Sequence, residues 1–300
     1  MLHGDGDEFR LSFSLRESPS FMFSRLTFII LFTLPLLGVV FGLVAWPLCE
    51  LAYAGMHVVG ANGGSFTWAR YHSVIADSYY RESLYHSLSL SALVAMGGTL
   101  LSLPPAWLLA RHDFPGKRFL RTCFTLPMSL SGMMVGFLAV VMLGRVGVVP
   151  QLFQAAFGVD WLSGTAYQLT GLVIAYLYFE IPRGVLSLEA PLRKLDPRWE
   201  AAARSLGAGP WRRWWSITLP LIAPSLLTTF TLTFSVSLGS FGAALILSRR
   251  FSVLPLELFH EFSAMSNAPM AAAMGIVLAL CAWPVHLLAG LIGTWEERRA

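Results

Sequence analysis

The chain alternates long apolar runs with short polar segments. Six of these runs approach or exceed the ~20 apolar residues that cross a bilayer core as a helix. They lie near Leu26–Trp46, Ser87–Ala110, Cys123–Leu143, Leu169–Leu188, Leu221–Leu247 and Pro269–Ile292. None of them shows the alternation over about ten residues that is typical of an outer-membrane barrel strand. The pattern therefore predicts an all-α integral membrane protein with about six transmembrane helices.

The composition supports a membrane location. Apolar residues make up 55% of the chain and charged residues 13%, and the mean hydropathy is +0.62. Soluble domains carry about 25% charged residues. The first apolar run is longer than the ~7 to 15 residues of a signal-peptide core and lacks a convincing small-residue cleavage site. We therefore expect it to remain as an anchor.

The basic residues predict how the chain is oriented. An even number of spans places both termini on one side, and the loops of that side carry 16 of the 21 Lys and Arg residues, which leaves 5 for the other. Because basic residues favour the cytoplasmic side, we expect both termini in the cytoplasm of a bacterial inner membrane. The net charge of +4 reflects this orientation. No basic stripe is present, so no nucleic-acid partner is expected.

The sequence offers little catalytic or metal-binding chemistry. Cys49, Cys123 and Cys281 lie in or beside the spans without C-x-x-C spacing, and they are typical of small apolar residues. No His or carboxylate cluster accompanies them, so no metal site is expected. The chain also lacks the G-x-x-x-x-G-K-[ST] phosphate loop. A membrane-embedded enzyme is therefore disfavoured, and any ATP would be bound by another subunit.

A basic, soluble-looking segment, residues 196–220, lies between the fourth and fifth apolar runs. It predicts a short helix, a break at Gly207 to Pro210, and a second helix that leads into the next span. A helix-turn-helix on a membrane surface is suited to contact a partner protein. Trp211, Trp214 and Trp215 are typical of interfacial anchors, and the adjacent Arg212 and Arg213 would suit anionic lipid headgroups.

The segment resembles the Glu-Ala-Ala loop of the membrane subunits of binding-protein-dependent ABC importers. The resemblance rests on the Asp-Pro lead-in, Ala-Ala, Ser-Leu-Gly-Ala and Ile-Thr-Leu-Pro, with Gly207, Ile217, Leu219 and Pro220 in register. Six residues before the glycine, where the family has its glutamate, stands Ala201, and the acidic residue of this chain is Glu200. The resemblance covers about residues 84–294 and implies a type I ABC importer permease fold with a cytoplasmic coupling loop, residues 189–220.

The resemblance also implies an assembly. A permease of this family works with ABC ATPase subunits, expected here to be two, a second permease that is a sister chain or a copy, and an external or periplasmic solute-binding protein. ATP and Mg would be bound by the ATPase, and no cofactor is expected in this chain. The implied ATPase-coupling residues are Glu200, Ala201, Ala202, Arg204, Ser205, Leu206, Gly207, Ala208 and Gly209. Glu200 and Arg204 are four residues apart, so they would either pair on one helix face or contact the ATPase.

Glu180 and Arg183 are charges inside the fourth apolar run. A charge near a bilayer centre costs at least ~2.5 kcal/mol, so it usually faces a cavity or a partner. Two interpretations remain open: a structural ion pair, or part of a solute path. The full set of candidate path residues is Tyr176, Tyr178, Glu180, Arg183, Ser131, Ser237, Ser240 and Phe241. For the small residues of the third and fifth spans, helix packing is the alternative to a path. Pro182 predicts a kink, and Leu238–Gly242 is the candidate gate.

The resemblance leans towards the branch that handles polyamines, thiamine, sulfate, molybdate, ferric iron and phosphonates, through Phe-Gly-Ala-Ala in the fifth span and Leu-Pro-Leu-Glu after it. Polyamine uptake is the first hypothesis because Glu180 would suit a cation. Another solute of the branch is the alternative. An ion-coupled secondary transporter would also use six helices and an intramembrane glutamate, but it has no need of the 196–220 loop.

Four regions are predicted along the chain. Residues 1–25 form a cytoplasmic tail, 26–83 the first transmembrane helix and an outer loop, 84–294 the permease core, and 295–300 a second cytoplasmic tail. The first tail is interpreted either as disordered or as lying along the membrane. The outer loop that holds Arg249, Arg250, Glu257, His260 and Glu261 is the expected landing site for a binding protein.

Overall fold

The computed structural model describes residues 31, 33–60, 63–158, 163–248 and 251–297. The predicted tail 1–25, residues Arg249 and Arg250, and the last three residues lie outside these ranges. Residues 295–297, predicted as tail, still belong to the last helix. Contacts divide the chain into a unit up to Glu50 and a unit from Leu51 onward.

Helices dominate the described residues. Their bounds, in chain order, are α1 Thr33–Met56, α2 Ala69–Ala76, α3 Ser78–Arg111, α4 Lys117–Ser129, α5 Gly132–Leu143, α6 Val148–Phe157, α7 Leu169–Lys194, α8 Pro197–Ser205, α9 Pro210–Arg213, α10 Leu219–Gly239, α11 Gly242–Leu247, α12 Leu254–Ser263 and α13 Ala268–Glu297. A hairpin of β1 His57–Gly60 and β2 Gly63–Phe66 pairs antiparallel, with His57 opposite Phe66. A 3₁₀ turn, Thr165–Tyr167, precedes α7.

The prediction of six spans is confirmed. The described residues contain six helices that are long and apolar enough to cross a membrane, at Thr33–Met56, Ser78–Arg111, Gly132–Phe157, Leu169–Lys194, Pro210–Gly239 and Ala268–Leu291. The bounds of the spans differ from the predicted ones, and two of the predicted runs are interrupted for a physical reason. The third run is interrupted between α4 and α5, where Pro127 lies near the end of α4 and the Ser131 side chain caps Met134 N of α5 at 3.3 Å. The fifth run is interrupted at Ser240 and Phe241, between α10 and α11.

The centre of the second unit is the pair α3 and α7, which pack more extensively than any other two described helices, with α10 beside them. Small residues allow this approach. A Cβ atom on Gly184 of α7 would lie 2.6 Å from Ser102 Oγ of α3. Towards one end of the pair, an apolar cluster that includes Leu109, Leu188 and Ile222 joins the three helices. These contacts hold one face of α7 against α3 and α10.

Helices α5 and α11 also pack closely through glycine. A Cβ atom on Gly136 would lie 2.9 Å from Ile246 Cβ, and one on Gly242 would lie 3.0 Å from Met133 N. Small residues in these spans could serve either helix packing or a solute path. At Gly132, Gly136 and Gly242, close helix packing explains why the residue is small. The contact fixes α11 directly after the break at Ser240 and Phe241.

Candidate coupling loop and intramembrane polar stripe

Helix α8 is defined by standard signals at both ends. Asp196 accepts a hydrogen bond from Arg198 N at 2.9 Å, and Pro197 occupies the first helical turn. At the other end, Gly207 N donates to Arg204 O and Ala208 N donates to Ala203 O, both at 3.0 Å. This is a Schellman motif, in which the residue after the cap adopts a left-handed conformation. Gly207 has φ of 78°, so its lack of a side chain is required here.

The polypeptide after this turn runs directly into a span. Pro210 begins α9, and a π-helical turn, Trp214–Thr218, connects α9 to α10. Trp214 packs edge-on against Trp107 of α3, with ring centroids 6.4 Å apart, while the exposed Trp211 and Trp215 pack against each other at 5.7 Å. A short helical connection therefore joins the turn after α8 to α10.

Glu200 anchors α8 to the rest of the protein. Its Oε1 atom lies 3.4 Å from Arg111 Nη2 at the end of α3 and 3.4 Å from the Thr218 hydroxyl. Arg111 also donates to the Leu195 carbonyl at 3.1 Å. Among the described residues, Glu200 and Arg204 do not form the ion pair that was one of the two expectations from their spacing. The reason is that Glu200 faces the ends of the spans, whereas Arg204 lies on the exposed side of α8.

Most of the other predicted coupling residues form the exposed side of this loop. The exposed members are Ala201, Ala202, Arg204, Ser205, Leu206, Gly207 and Gly209, and Ala208 is half-buried. Ala203 is buried beneath them. Two large apolar side chains belong to the same surface, because Leu206 is 87% exposed and Trp199 is 63% exposed. The exposed face of the loop thus carries two large apolar side chains among its small and polar ones.

The sequence analysis missed Glu189, a buried carboxylate near the same end of α7. It forms ion pairs with Arg193 on α7 and with Arg121 Nε of α4 at 3.3 Å. The four-residue spacing to Arg193 was readable, whereas the contact with α4 was not. In the turn between α3 and α4, Lys117 Nζ lies 2.8 Å from Asp113 Oδ1. This hydrogen bond lowers the pKa of the exposed Asp113 carboxyl below its usual value.

One side of α7 carries a polar stripe, which we define as Tyr176, Glu180, Arg183 and Ser187. Their spacing of four, three and four residues places them on one helix face. Tyr176 is buried, and its hydroxyl donates to the Ser240 carbonyl at 2.5 Å, at the break between α10 and α11. Arg183 Nη1 lies 2.5 Å from Glu180 Oε1. Ser187 Oγ lies 3.1 Å from the hydroxyl of Thr229 on α10.

Two buried polar atoms near the stripe, Thr99 Oγ1 and Ser237 Oγ, lack a hydrogen-bond partner within the described ranges. Glu180 and Thr233 lie close enough for a side-chain hydrogen bond with each other. Glu180 and Thr233 both border Gly98 of α3, so the atoms on α3, α7 and α10 belong to one region. Native structures leave few buried polar atoms unpaired, and intramembrane polar groups are costly. The region is therefore a candidate for a functional role.

The structure does not bring all predicted path residues to this stripe. Tyr178 is 39% exposed, because a step of two residues from Tyr176 or Glu180 turns it to the other side of α7. Ser131 is exposed at the beginning of α5. Ser240 and Phe241 lie half-buried at the helix break, where Phe241 stacks on Phe259 of α12 with ring centroids 5.3 Å apart. Tyr178 and Ser131 are thus separate from the group around Glu180.

Comparison with known proteins assigns the chain to a family. Residues 98–300 match the family described as "Binding-protein-dependent transport system inner membrane component". The chain belongs to this family. It is a multi-pass permease component of an ABC importer in the inner membrane, and its function is transport.

Sequence relatives of this permease carry molybdenum and sulfate transport names. The molybdenum transport system permease protein ModB of Haemophilus influenzae is 32% identical over 225 residues, which cover 71% of this chain and 93% of the relative. ModB of Escherichia coli (strain K12) is 37% identical over 165 residues, covering 54% and 70%. The sulfate transport system permease protein CysT of the same strain is 28% identical over 223 residues, covering 71% and 76%.

Solved structures agree on the fold of this permease. A chain of a bacterial ABC transporter that imports the acidic polysaccharide alginate has a TM-score of 0.72 and 18% identity, covering 91% of this chain and 97% of that one. A chain of the MetNI methionine ABC transporter in an inward-facing conformation has a TM-score of 0.55 and 14% identity, covering 72% and 94%.

The predicted landing site on the permease is only partly exposed. Glu257 is buried and accepts a hydrogen bond from Ser252, and Glu261 accepts one from Tyr80 at 2.6 Å. His260 is exposed. Glu257 therefore has an internal partner instead of facing a binding protein. Beside it lies a cavity of about 390 Å³, whose lining includes Glu82 and His86.

Proposed function

We propose that this permease forms, with a second permease and two ABC ATPases, an importer for a tetrahedral oxyanion of the molybdate or sulfate type. The observation that carries the proposal is the identity of 28–37% to permeases named for molybdenum and sulfate transport, in alignments that cover 70–93% of those relatives. The oxyanion proposal replaces the hypothesis of polyamine uptake, because these relatives are named for molybdenum and sulfate transport.

The geometry of Glu180 also argues against a polyamine. The Glu180 side chain is fully buried, and its carboxylate is paired with Arg183 at 2.5 Å. A cationic solute would have to compete with Arg183 for this carboxylate. Separating a buried ion pair leaves an uncompensated charge, which is strongly unfavourable.

In the proposed importer, the exposed side of α8 contacts an ATPase on the cytoplasmic side, where both termini would lie. Arg204, Leu206 and the glycine turn at Gly207 would make this contact, and Glu200 would connect it to α3. Closure of the ATPases on ATP and Mg would displace α8, and the helical connection through Trp214–Thr218 would carry the displacement to α10. A separate periplasmic binding protein would deliver the solute on the opposite side.

The solute would pass the polar stripe of α7 and the break at Ser240 and Phe241. The Tyr176 hydroxyl bonds the Ser240 carbonyl at that break, so a movement of α10 would change the surroundings of the stripe. Phe241 would close the path in one state. In this arrangement the ATPase contact would be linked to the membrane interior by the contacts of α8 with the π-helical turn Trp214–Thr218, of that turn with α10, and of α10 with α7.

The test begins with purification of the permease from its native host in mild detergent and identification of the proteins that accompany it. The complex is then reconstituted into proteoliposomes with its binding protein, and uptake of labelled molybdate, sulfate and spermidine is measured with and without internal ATP. ATP-dependent uptake of molybdate or sulfate, competed by the other oxyanion and not by spermidine, is the expected result. Uptake of spermidine alone would overturn the solute assignment, and uptake that follows an ion gradient without ATP would overturn the ATP-driven mechanism.

A further inference from the structure

We propose that Arg183 is a binding residue for the transported oxyanion and that Glu180 is the residue that positions it. This inference rests on the proposed function, since it names the group in the membrane that recognises the solute. It is carried by the position of Arg183 inside an apolar run, by the unequal exposure of the two charges, and by the contacts of the polar stripe with α10.

Arg183 lies inside an apolar run. The fourth run covers Leu169–Leu188, so at ~1.5 Å per residue Arg183 is about 21 Å from one end of the run and about 8 Å from the other. A charge at this depth faces the interior of the protein or a water-filled cavity, and it marks a solute pathway more often than a lipid surface. The position alone would also fit a structural ion pair.

The exposure of the pair distinguishes the two charges. The Glu180 side chain is fully buried, whereas the Arg183 side chain is 24% exposed. A guanidinium has five N–H donors. Within the described ranges, the hydrogen bond to Glu180 is the one that Arg183 makes. The pair therefore presents positively charged donors outward and no acceptor, which is the chemistry that recognises a dianion with several oxygen atoms.

The residues next to Arg183 on the polar stripe lie close to α10, the helix that would receive the displacement of α8 in the proposed importer. Arg183 lies between Glu180 and Ser187 on the polar stripe, and Ser187 contacts Thr229 of α10. Two turns away on the same face, Tyr176 bonds the backbone at the break between α10 and α11. An anion at Arg183 would therefore lie beside the helix that receives the displacement of α8. Glu180, buried against Gly98 of α3, fixes the guanidinium from behind.

A structural role for the Glu180–Arg183 pair and a solute-binding role for Arg183 predict different results when both charges are removed. Removing one charge of a buried pair leaves the other uncompensated, whereas replacing both by neutral groups removes this penalty. If the pair is only structural, the double variant Glu180→Gln/Arg183→Gln should assemble and transport like the wild type. If Arg183 binds the solute, the double variant should assemble and still fail in transport.

The experiment uses the complete complex with its ATPases and binding protein in proteoliposomes. The variants are Arg183→Gln, Arg183→Lys, Glu180→Asp and the double variant, with Tyr178→Phe as the control from the other side of α7. The measured quantities are assembly by size-exclusion chromatography, molybdate uptake at saturating binding protein, and ATP hydrolysed per molybdate imported.

We expect the double variant to assemble and to need at least about ten times more ATP per molybdate, because a charge-assisted hydrogen bond discriminates by about this factor. Arg183→Lys and Glu180→Asp should retain intermediate transport, and Tyr178→Phe should match the wild type. Wild-type transport by the double variant or by Arg183→Gln would overturn the inference while leaving the oxyanion importer standing. If the wild-type complex imports spermidine and neither oxyanion, the proposed function fails first.

Discussion

Arg111 at the end of α3 and Glu200 in the coupling loop are 89 residues apart in sequence, and their side chains meet at 3.4 Å. The same guanidinium bonds the Leu195 carbonyl just before α8. Both side chains are mostly buried, with 14% of Arg111 and 28% of Glu200 exposed. The loop is therefore held by a specific contact with α3 and is not attached only through its two ends.

Replacing Glu200 by Gln should loosen this attachment. The variant keeps the shape of the side chain but loses the charge opposite Arg111, so we expect the complex to lose about 1 kcal/mol of stability. Transport per ATP hydrolysed should fall several-fold, because α8 would move without α3. Thermal unfolding in detergent and the ratio of uptake to ATP hydrolysis measure the two effects. Arg204→Gln is the control for stability, since Arg204 is exposed, and an equal unfolding temperature for both variants would contradict the anchoring role.

Two glycines of the coupling loop should respond differently to alanine. Gly207 has φ of 78° and Gly209 has φ of −64°, and neither has a neighbour that would clash with a Cβ atom. Gly207→Ala should therefore weaken coupling through backbone strain of about 1–2 kcal/mol, whereas Gly209→Ala should be tolerated. Gly207→Asn should recover part of the loss, because Asn accepts this conformation. Equal transport by the two alanine variants would show that the turn does not matter.

The break in the fifth span offers a second matched pair of glycines. A Cβ atom on Gly242 would lie 3.0 Å from Met133 N and 3.1 Å from Gly132 C, which are backbone atoms, while one on Gly239 would meet nothing within 4 Å. We expect Gly242→Ala to destabilise the protein by about 1–3 kcal/mol through overpacking between α5 and α11. Gly239→Ala should leave thermal unfolding unchanged. Loss of stability in both variants would indicate that flexibility, and not packing, selects glycine here.

Tyr176 and Tyr178 form a third comparison. Tyr176→Phe removes the hydrogen bond to the Ser240 carbonyl at 2.5 Å, so it should cost about 0.5–1.5 kcal/mol and alter transport by shifting the helix break. Tyr178→Phe should change neither quantity, because Tyr178 is partly exposed and makes no hydrogen bond within the described part of the chain. Measurements of thermal unfolding and solute uptake for both variants test this difference. A larger effect of Tyr178→Phe would return Tyr178 to the solute path.

Sequence patterns predicted the features that depend on local rules. Length and hydropathy gave the six spans, and the Asp-Pro start and Gly207 gave both ends of α8, because caps and turns are encoded within a few residues. The pairing of Glu180 with Arg183 followed from their spacing of three residues. Such features need no knowledge of the tertiary structure.

Features that depend on distant contacts could not be predicted. Glu200 had a neighbour of opposite charge at Arg204, and no local pattern favoured Arg111, which lies on another helix. The contact of Glu189 with Arg121 of α4 was hidden in the same way. The breaks at Ser131 and Ser240 lie inside continuous apolar runs, where hydropathy indicates that a segment is membrane-embedded and says little about where a helix ends.

The exposed apolar side chains of α8 have a consequence for the biogenesis of the protein. If α8 contacts the ATPase as proposed, Leu206 and Trp199 would remain uncovered in a subunit made without that partner. Chaperones and proteases act on incompletely folded or assembled protein that exposes apolar groups. The proposed ATPase contact would thus also report whether assembly is complete, and the lifetime of the subunit would depend on the supply of its partner.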